Sequence, residues 1–377
     1  MTRTAKFRAA AFAAVLLAMT TTAGAAEVVV GAIAELTGSA ADFGTNTARG
    51  LQVGAEWLNA RKDMSGNTVK LIVEDDGTDK GQALTLLNKF ALRDNAAVIV
   101  GTSSSALSAS IAPRAEELKV PMITIAYSTA AVEGRQWVFK ATDTIPHQFQ
   151  AIANYTADVI KPKACVRVWG RDNEAYVQNS KIWGDTVTAK GVKILDDVTV
   201  LISDTDFTAA ATRISSLKPD CLYLAISPEP AANFVLQLKS AGLPATTKLI
   251  GGTTMGSRIF LGAAGTAAEG TYSLAEYSPG GVNELGKKFE AAYQAKFREK
   301  PDTFAAAGFS EMLIIGAAIK QAGANPSRQA IRDAMAGLKD LETVIGKGRL
   351  SMVNRIAQYD MVVLTVKSGN LTVAPGQ

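Results

Sequence analysis

Four hydroxyl side chains in a row, Thr102-Ser103-Ser104-Ser105, follow the apolar run Ala97 to Val100 and Gly101 and precede a stretch of helical periodicity. Free N–H groups at a helix start, with serine hydroxyls beside them, suit a carboxylate or another anion. Each of these residues taken alone is equally at home as an ordinary N-cap. Two neighbouring loops carry related chemistry. Ala34 to Gly44 (AELTGSAADFG) follows the first apolar run and offers small residues, backbone donors and one aromatic, Phe43. Ile125-Ala126-Tyr127-Ser128 ends another apolar run on a further hydroxyl. Later in the chain, Arg171-Asp172-Asn173-Glu174-Ala175-Tyr176, Ser227-Pro228-Glu229 and Gly252-Thr253-Thr254-Met255 occupy equivalent positions. Arg171 can pair a carboxylate and Tyr176 can stack on a ligand; the plainer readings are a solvated loop charge and an aromatic packed on its own helix. His147, directly after Pro146, either lines a cleft or caps a helix.

Catalysis finds fewer footholds. His147 is the single histidine, which leaves one candidate for imidazole acid–base work and none for a His-rich metal site. No GxGxxG follows a strand, and neither GxxxxGK[ST] nor GxSxG occurs; Gly251 to Gly256 (GGTTMG) does not fit the dinucleotide pattern. Cys165 and Cys221 sit inside strand-like runs (ACVRVW and CLYLAI) with no CxxC. Two buried thiols and one disulfide both remain open readings. The residues therefore predict a binding protein, with no catalytic residue, metal or cofactor.

The elements that must position these loops follow from the pattern of the whole chain. Arg3, Lys6 and Arg8 precede the apolar run Ala9 to Met19 and the small residues Ala23 to Ala26, the order of a cleavable signal peptide over residues 1–26. That reading predicts export to the periplasm. It also takes the formal charge from +4 to +1, so nothing favours nucleic acid as a partner. About 350 residues remain, enough for two domains. Strand-like runs at 28–33, 69–73, 97–100 and 121–125 alternate with helical segments at 45–61, 82–93 and up to Leu118. The rhythm restarts with strands at 164–169, 192–201, 220–226 and 248–251 and helices at 173–190, 207–217 and 229–241. Helices at 283–299, 303–321 and 327–336 and strands at 358–366 and 371–373 close the chain. This predicts an α/β protein of two doubly wound parallel-sheet lobes joined by several hinge crossings. The first lobe takes 27–145 and about 276–350, and the second 146–275 and about 351–377. Ligands of such sheets bind beyond the carboxyl ends of the strands, where the loops above lie.

At these residues the sequence resembles the leucine/isoleucine/valine-binding family of periplasmic ABC-transporter proteins. The resemblance runs through VVVGAIAELTGSAADFG, VEDDGTDKGQAL, VIVGTSSSALSASIAP, VPMITIAYST, RDNEAY, FTAAATRISSLKPDCLYLAISPEP and LKSAGLP, essentially the whole chain after the leader. It implies the type I periplasmic binding protein fold. It places Ser105 on the family's key serine and Ser128 on its threonine. Ala126 and Ser103 fall on backbone contacts, Phe43 on an aromatic near the side-chain pocket, and Tyr176 on a ligand-facing tyrosine. Thr78 and Ser104 stand where some members carry a disulfide. Two positions depart: the glutamate that pairs an amino-acid ammonium aligns with Thr253, and a second-lobe tyrosine aligns with Ile226. A buried ammonium that loses its carboxylate partner is strongly disfavoured. The expected ligand is therefore a small hydrophobic or aromatic carboxylate, held in the cleft with Tyr127 and His147 among its neighbours. A branched-chain or aromatic amino acid is the alternative, with Glu229, Asp172 or Glu174 supplying the missing charge. The expected partner is an ABC permease in the inner membrane, with the receptor a monomer; a periplasmic sensory module is the other reading of the same fold.

Overall fold

The computed structural model describes residues 26–377, so the leader expected at 1–26 lies outside the described residues except for Ala26. The β-branched run that follows explains the first element. Val28 to Val30 lie in β1 (Glu27–Ala34), most of which is buried, as a central strand covered on both faces requires. Next come α1 (Ala41–Arg61), β2 (Thr68–Asp75) and α2 (Lys80–Asn88), the last started by the Asp79 carboxylate, which accepts from Gln82 N–H at 2.8 Å. A π turn, Lys89–Arg93, prolongs α2 to the expected end of that helix. β3 (Val98–Val100), α3 (Ser105–Glu117), β4 (Met122–Thr124) and β5 (Val138–Lys140) complete the first series.

The second series runs α4 (Ile145–Tyr155), β6 (Ala164–Gly170), α5 (Glu174–Ala189), β7 (Lys193–Val200), α6 (Thr208–Leu217) and β8 (Cys221–Ala225). It continues through α7 (Pro228–Ser240), β9 (Lys248–Gly251), α8 (Arg258–Ala264) and β10 (Tyr272–Ala275). The chain then returns to the first lobe with α9 (Glu284–Phe297), α10 (Thr303–Ala322), α11 (Arg328–Ala336), β11 (Leu341–Glu342), β12 (Arg349–Val353) and β13 (Ile356–Gln358). It ends in the second lobe with β14 (Val362–Lys367) and β15 (Asn370–Val373).

One sheet has the order β11-β12-β13-β5-β4-β3-β1-β2 and the other β15-β14-β10-β9-β8-β6-β7. Five parallel strands in each share one relative order, β2-β1-β3-β4-β5 and β7-β6-β8-β9-β10. The predicted α/β class with two doubly wound sheets is what the chain forms. The strand order reverses between β1 and β3 and again between β6 and β8, and a crevice opens at the carboxyl ends of those strands.

Three crossings join the sheets, at 141–144, 276–283 and 359–361. The last corrects an expectation. Residues from about 351 were assigned to the second lobe, but β12 and β13 pair into the first sheet. The single strand expected at 358–366 is two strands from different sheets with the crossing between them. Buried Tyr359 and Met361 carry the apolar pattern straight through that crossing.

Two packing features hold the lobes. α10 is buried along most of its length against α1. A Cβ on Gly50 would stand 2.0 Å from the Ala305 carbonyl oxygen, and one on Gly308 would stand 2.3 Å from that of Thr47. Only glycine allows so close an approach. In the second lobe Cys165 and Cys221, directly paired on β6 and β8, form a disulfide between Cα atoms 4.5 Å apart. The disulfide is the one of the two open readings that the structure adopts.

Candidate functional site

The first-lobe rim is organised by a carboxylate. Glu35 ends the β1 run fully buried, and a buried charge must find donors. It takes the Ser103 N–H at 3.1 Å, the Ser103 hydroxyl at 3.0 Å and the Ser104 N–H at 2.9 Å. The Ser104 hydroxyl caps α3, accepting from Leu107 N–H at 3.4 Å. Beneath them Thr102, Ser108 and Thr124 share buried hydroxyl contacts of 3.1 and 2.8 Å, and the Ala126 N–H donates to Thr124 at 3.0 Å. The Ala126 carbonyl accepts from Thr142 at 2.9 Å.

The four-hydroxyl cluster is thus divided between a buried carboxylate and the rim. The Ser103 and Ser104 N–H groups serve Glu35, and buried Ala126 is engaged from both sides. Ser105 and Ser128 remain. The Ser105 hydroxyl accepts from Ser128 N–H at 3.2 Å and the Ser128 hydroxyl from Ala130 N–H at 3.2 Å, so each keeps its own proton to donate. The N–H groups of Ser105 and Ala106, in the first turn of α3, have no intrahelical acceptor.

Two further acids lie buried in the same lobe. Glu311 on α10 has neither oxygen hydrogen-bonded; burial, with the charge of Glu35, drives its carboxyl well above the usual range. Asp76 is pushed up to about 6 by burial, against the Thr78 N–H that bonds its charged form.

Phe43 is 48% exposed at the start of α1, its ring centroid 4.7 Å from that of Phe304. Phe304 is held there by its neighbour. Asp302 caps α10 through Ala305 N–H at 2.9 Å and accepts from Asn46 of α1 at 2.9 Å. Sequence reading missed Phe304; the Asp302 cap announces a helix start and says nothing of what that start touches.

The three crossings meet at Glu276. Its buried carboxylate accepts from Tyr127 at 2.7 Å, Tyr359 at 2.8 Å and Gln148 at 3.0 Å. Burial and the Glu276 charge both raise the Tyr127 and Tyr359 hydroxyls well above the ordinary tyrosine value. Tyr127 is 39% exposed while its hydroxyl donates to buried Glu276, so the residue runs from the rim into the hinge. Buried Lys140 donates to the Thr142 and Asp143 carbonyls at 3.0 and 2.7 Å. Burial lowers its pKa to about 8, with Glu276 and Asp143 opposing. His147 bonds Asp143 at 2.5 Å and lines an outer groove with Lys347, Arg349 and Asp360, apart from the rim residues.

On the second-lobe rim, Arg171 is exposed, and Asp172 is occupied by Ile202 N–H at 3.1 and 3.3 Å. Asn173 caps α5, and the Tyr176 hydroxyl lies 3.3 Å from that of Ser227. Glu229 faces a separate cavity of about 440 Å³ with Ile202 and Asn233. Ile226 was expected as an apolar cleft wall, and this is corrected: it is fully buried in the second-lobe core, the continuation of the β8 run inward. Thr253 is exposed and opens a short 3₁₀ turn before α8.

Residues of both lobes line one cavity of about 430 Å³, with Tyr127 and Phe304 on one side, Thr253 and Arg258 on the other, and Glu276 and Tyr277 at the crossing. This size is within the range of small-molecule sites. Of the residues expected from sequence it unites Tyr127 and Thr253, and Phe43 joins through Phe304. Of the rest, Ile226 lies in the second-lobe core, His147 lines the outer groove, and the others stay on their own rims. Among the described residues no His/Cys/Asp/Glu group could hold a metal.

Comparison with known proteins agrees with this fold. The family model described as periplasmic binding protein matches residues 27–370. A Leu/Ile/Val-binding protein, BraC3, of Rhizobium johnstonii is 26% identical over 352 residues, covering 93% of this chain and 94% of its own. The leucine-binding protein LivK of Thermotoga maritima superposes with a TM-score of 0.67 at 25% identity, over 92% of this chain and 97% of that one. A benzoate-bound ABC-transporter solute-binding protein of R. palustris does so with a TM-score of 0.65 at 22% identity, over 92% and 95%.

Proposed function

The chain belongs to the periplasmic binding protein family, and from that premise we propose that it is the exported solute receptor of an ABC importer. The solute we assign to the interlobe cavity is a small hydrophobic or aromatic carboxylate. The observation that carries this reading is the state of the acids around the cavity. Both carboxylates that line it are already served, Glu276 by three donors and Asp302 by Ala305 N–H and Asn46. Position 253 offers a hydroxyl. An ammonium would have to share each of these carboxylates with the donors already on it. The rim meanwhile holds the Ser105 and Ser128 hydroxyl protons and two first-turn N–H groups for an acid, and Phe43, Phe304, Tyr127 and Tyr277 offer an aromatic lining for its body. The benzoate ligand of the R. palustris neighbour belongs to the same chemical class.

The amino-acid reading draws on one observation, the Leu/Ile/Val-binding name of the relative that spans 93% of the chain. Exposed Glu174 at the start of α5 is the acid then available to it. Titration calorimetry with benzoate, leucine and phenylalanine separates the two. We expect heat from benzoate alone, and tight leucine binding overturns the carboxylate assignment.

A further inference from the structure

We propose that Arg258 is a second anion-reading point in the interlobe cavity, so that the preferred solute is a dicarboxylate with an apolar or aromatic body. This rests on the cavity being the solute site. Arg258 is the first residue of α8, exposed, and makes no ion pair or side-chain hydrogen bond among the described residues. It is the one cation among the residues that line the cavity, whose other walls include Tyr277, Pro279, Phe304, Leu364 and Leu371. A guanidinium closed into such surroundings needs a partner. Neither acid on the cavity wall makes an ion pair with it: Glu276 accepts from Tyr127, Tyr359 and Gln148, and Asp302 from Ala305 N–H and Asn46. Thr253, on the same wall, is uncharged.

Tyr127 marks the path between the two ends. It is adjacent in sequence to Ser128 on the rim and lines the cavity that Arg258 faces. A molecule held by one carboxylate at Ser105 and Ser128 extends its body past Tyr127 and brings a second acid group to the guanidinium, whose planar fork matches a carboxylate.

The test compares benzoate, benzene-1,3-dicarboxylate and benzene-1,4-dicarboxylate by calorimetry on the wild type, Arg258→Ala and Arg258→Lys. One dicarboxylate should bind the wild type about ten-fold tighter than benzoate or better. Arg258→Ala should erase that preference, weakening the dicarboxylate about ten-fold more than benzoate, while Arg258→Lys should keep part of it. Equal affinity of the wild type for all three acids overturns the inference and leaves the carboxylate reading intact. Equal weakening of benzoate and dicarboxylate by Arg258→Ala also overturns it, and identifies the arginine as a lobe-to-lobe contact. Failure of the wild type to bind any of the acids refutes the solute reading and this inference with it.

Discussion

Tyr127→Phe removes one hydroxyl from the hinge and leaves a ring of the same shape. That hydroxyl donates to Glu276 at 2.7 Å from a buried position. A hydrogen bond to a charged group contributes about 1.5–3 kcal/mol to stability. Glu276 keeps Tyr359 at 2.8 Å and Gln148 at 3.0 Å, so it is not stripped of donors, and the lower part of that range applies. Urea unfolding should therefore lose about 1.5–2 kcal/mol through a shifted midpoint at unchanged slope. A double-mutant cycle isolates the bond. Tyr127→Phe and Glu276→Gln combined should cost less than the sum of the singles by about 1 kcal/mol or more, because both break the same interaction. Thr253→Ala lines the same cavity without touching this bond, and paired with Tyr127→Phe it should be additive. Additivity of Tyr127→Phe with Glu276→Gln to within about 0.5 kcal/mol would show that the hydroxyl is hydrated in solution and that the crossings are not tied at Glu276.

Ser105→Ala should weaken carboxylate binding in calorimetry by about 1–3 kcal/mol. Ser103→Ala, whose hydroxyl serves Glu35, should chiefly lower the melting temperature. Asp76 is raised to about 6 from 3.8, so its contribution to stability is fully present below the unfolded value and is lost as pH rises through about 6. Asp76→Asn should flatten the stability profile between about pH 4 and 6 and stabilise the protein at pH 7 by about 1–3 kcal/mol, read by denaturant unfolding across that range. The Cys165–Cys221 bridge spans a sequence separation of 56. The chain-entropy relation gives about 4 kcal/mol for a loop of that length, and the Cys165→Ala/Cys221→Ala variant should show that loss in urea.

The sequence made the main rhythm readable wherever burial on both faces produced an unbroken apolar run, as in Val28 to Ile33 or Cys221 to Ala225. It hid the elements that are too short for a pattern. β5 has three residues and β10 has four, and each contributes mainly through its neighbours in the sheet. The crossing at 359–361 carries no Gly or Pro to mark it, and its buried Tyr359 and Met361 read as strand. The hinge knot is assembled from Tyr127, Gln148, Glu276 and Tyr359, residues up to 232 positions apart. None of them forms a motif with its own neighbours, so only the folded chain shows them together. The engagement of Ser103 and Ser104 was hidden for a related reason: the acid to which they donate lies 68 and 69 residues earlier.

The glycine contact between α1 and α10 has a mechanical consequence. With Gly50 and Gly308 bringing backbone against backbone, neither helix can slide along the other without driving a carbonyl into a main chain. Shear is blocked, and the aromatic pair mounted on these two helices travels as one rigid jaw. Whatever angle the lobes adopt, the flexing is left to the few residues at 141–144, 276–283 and 359–361.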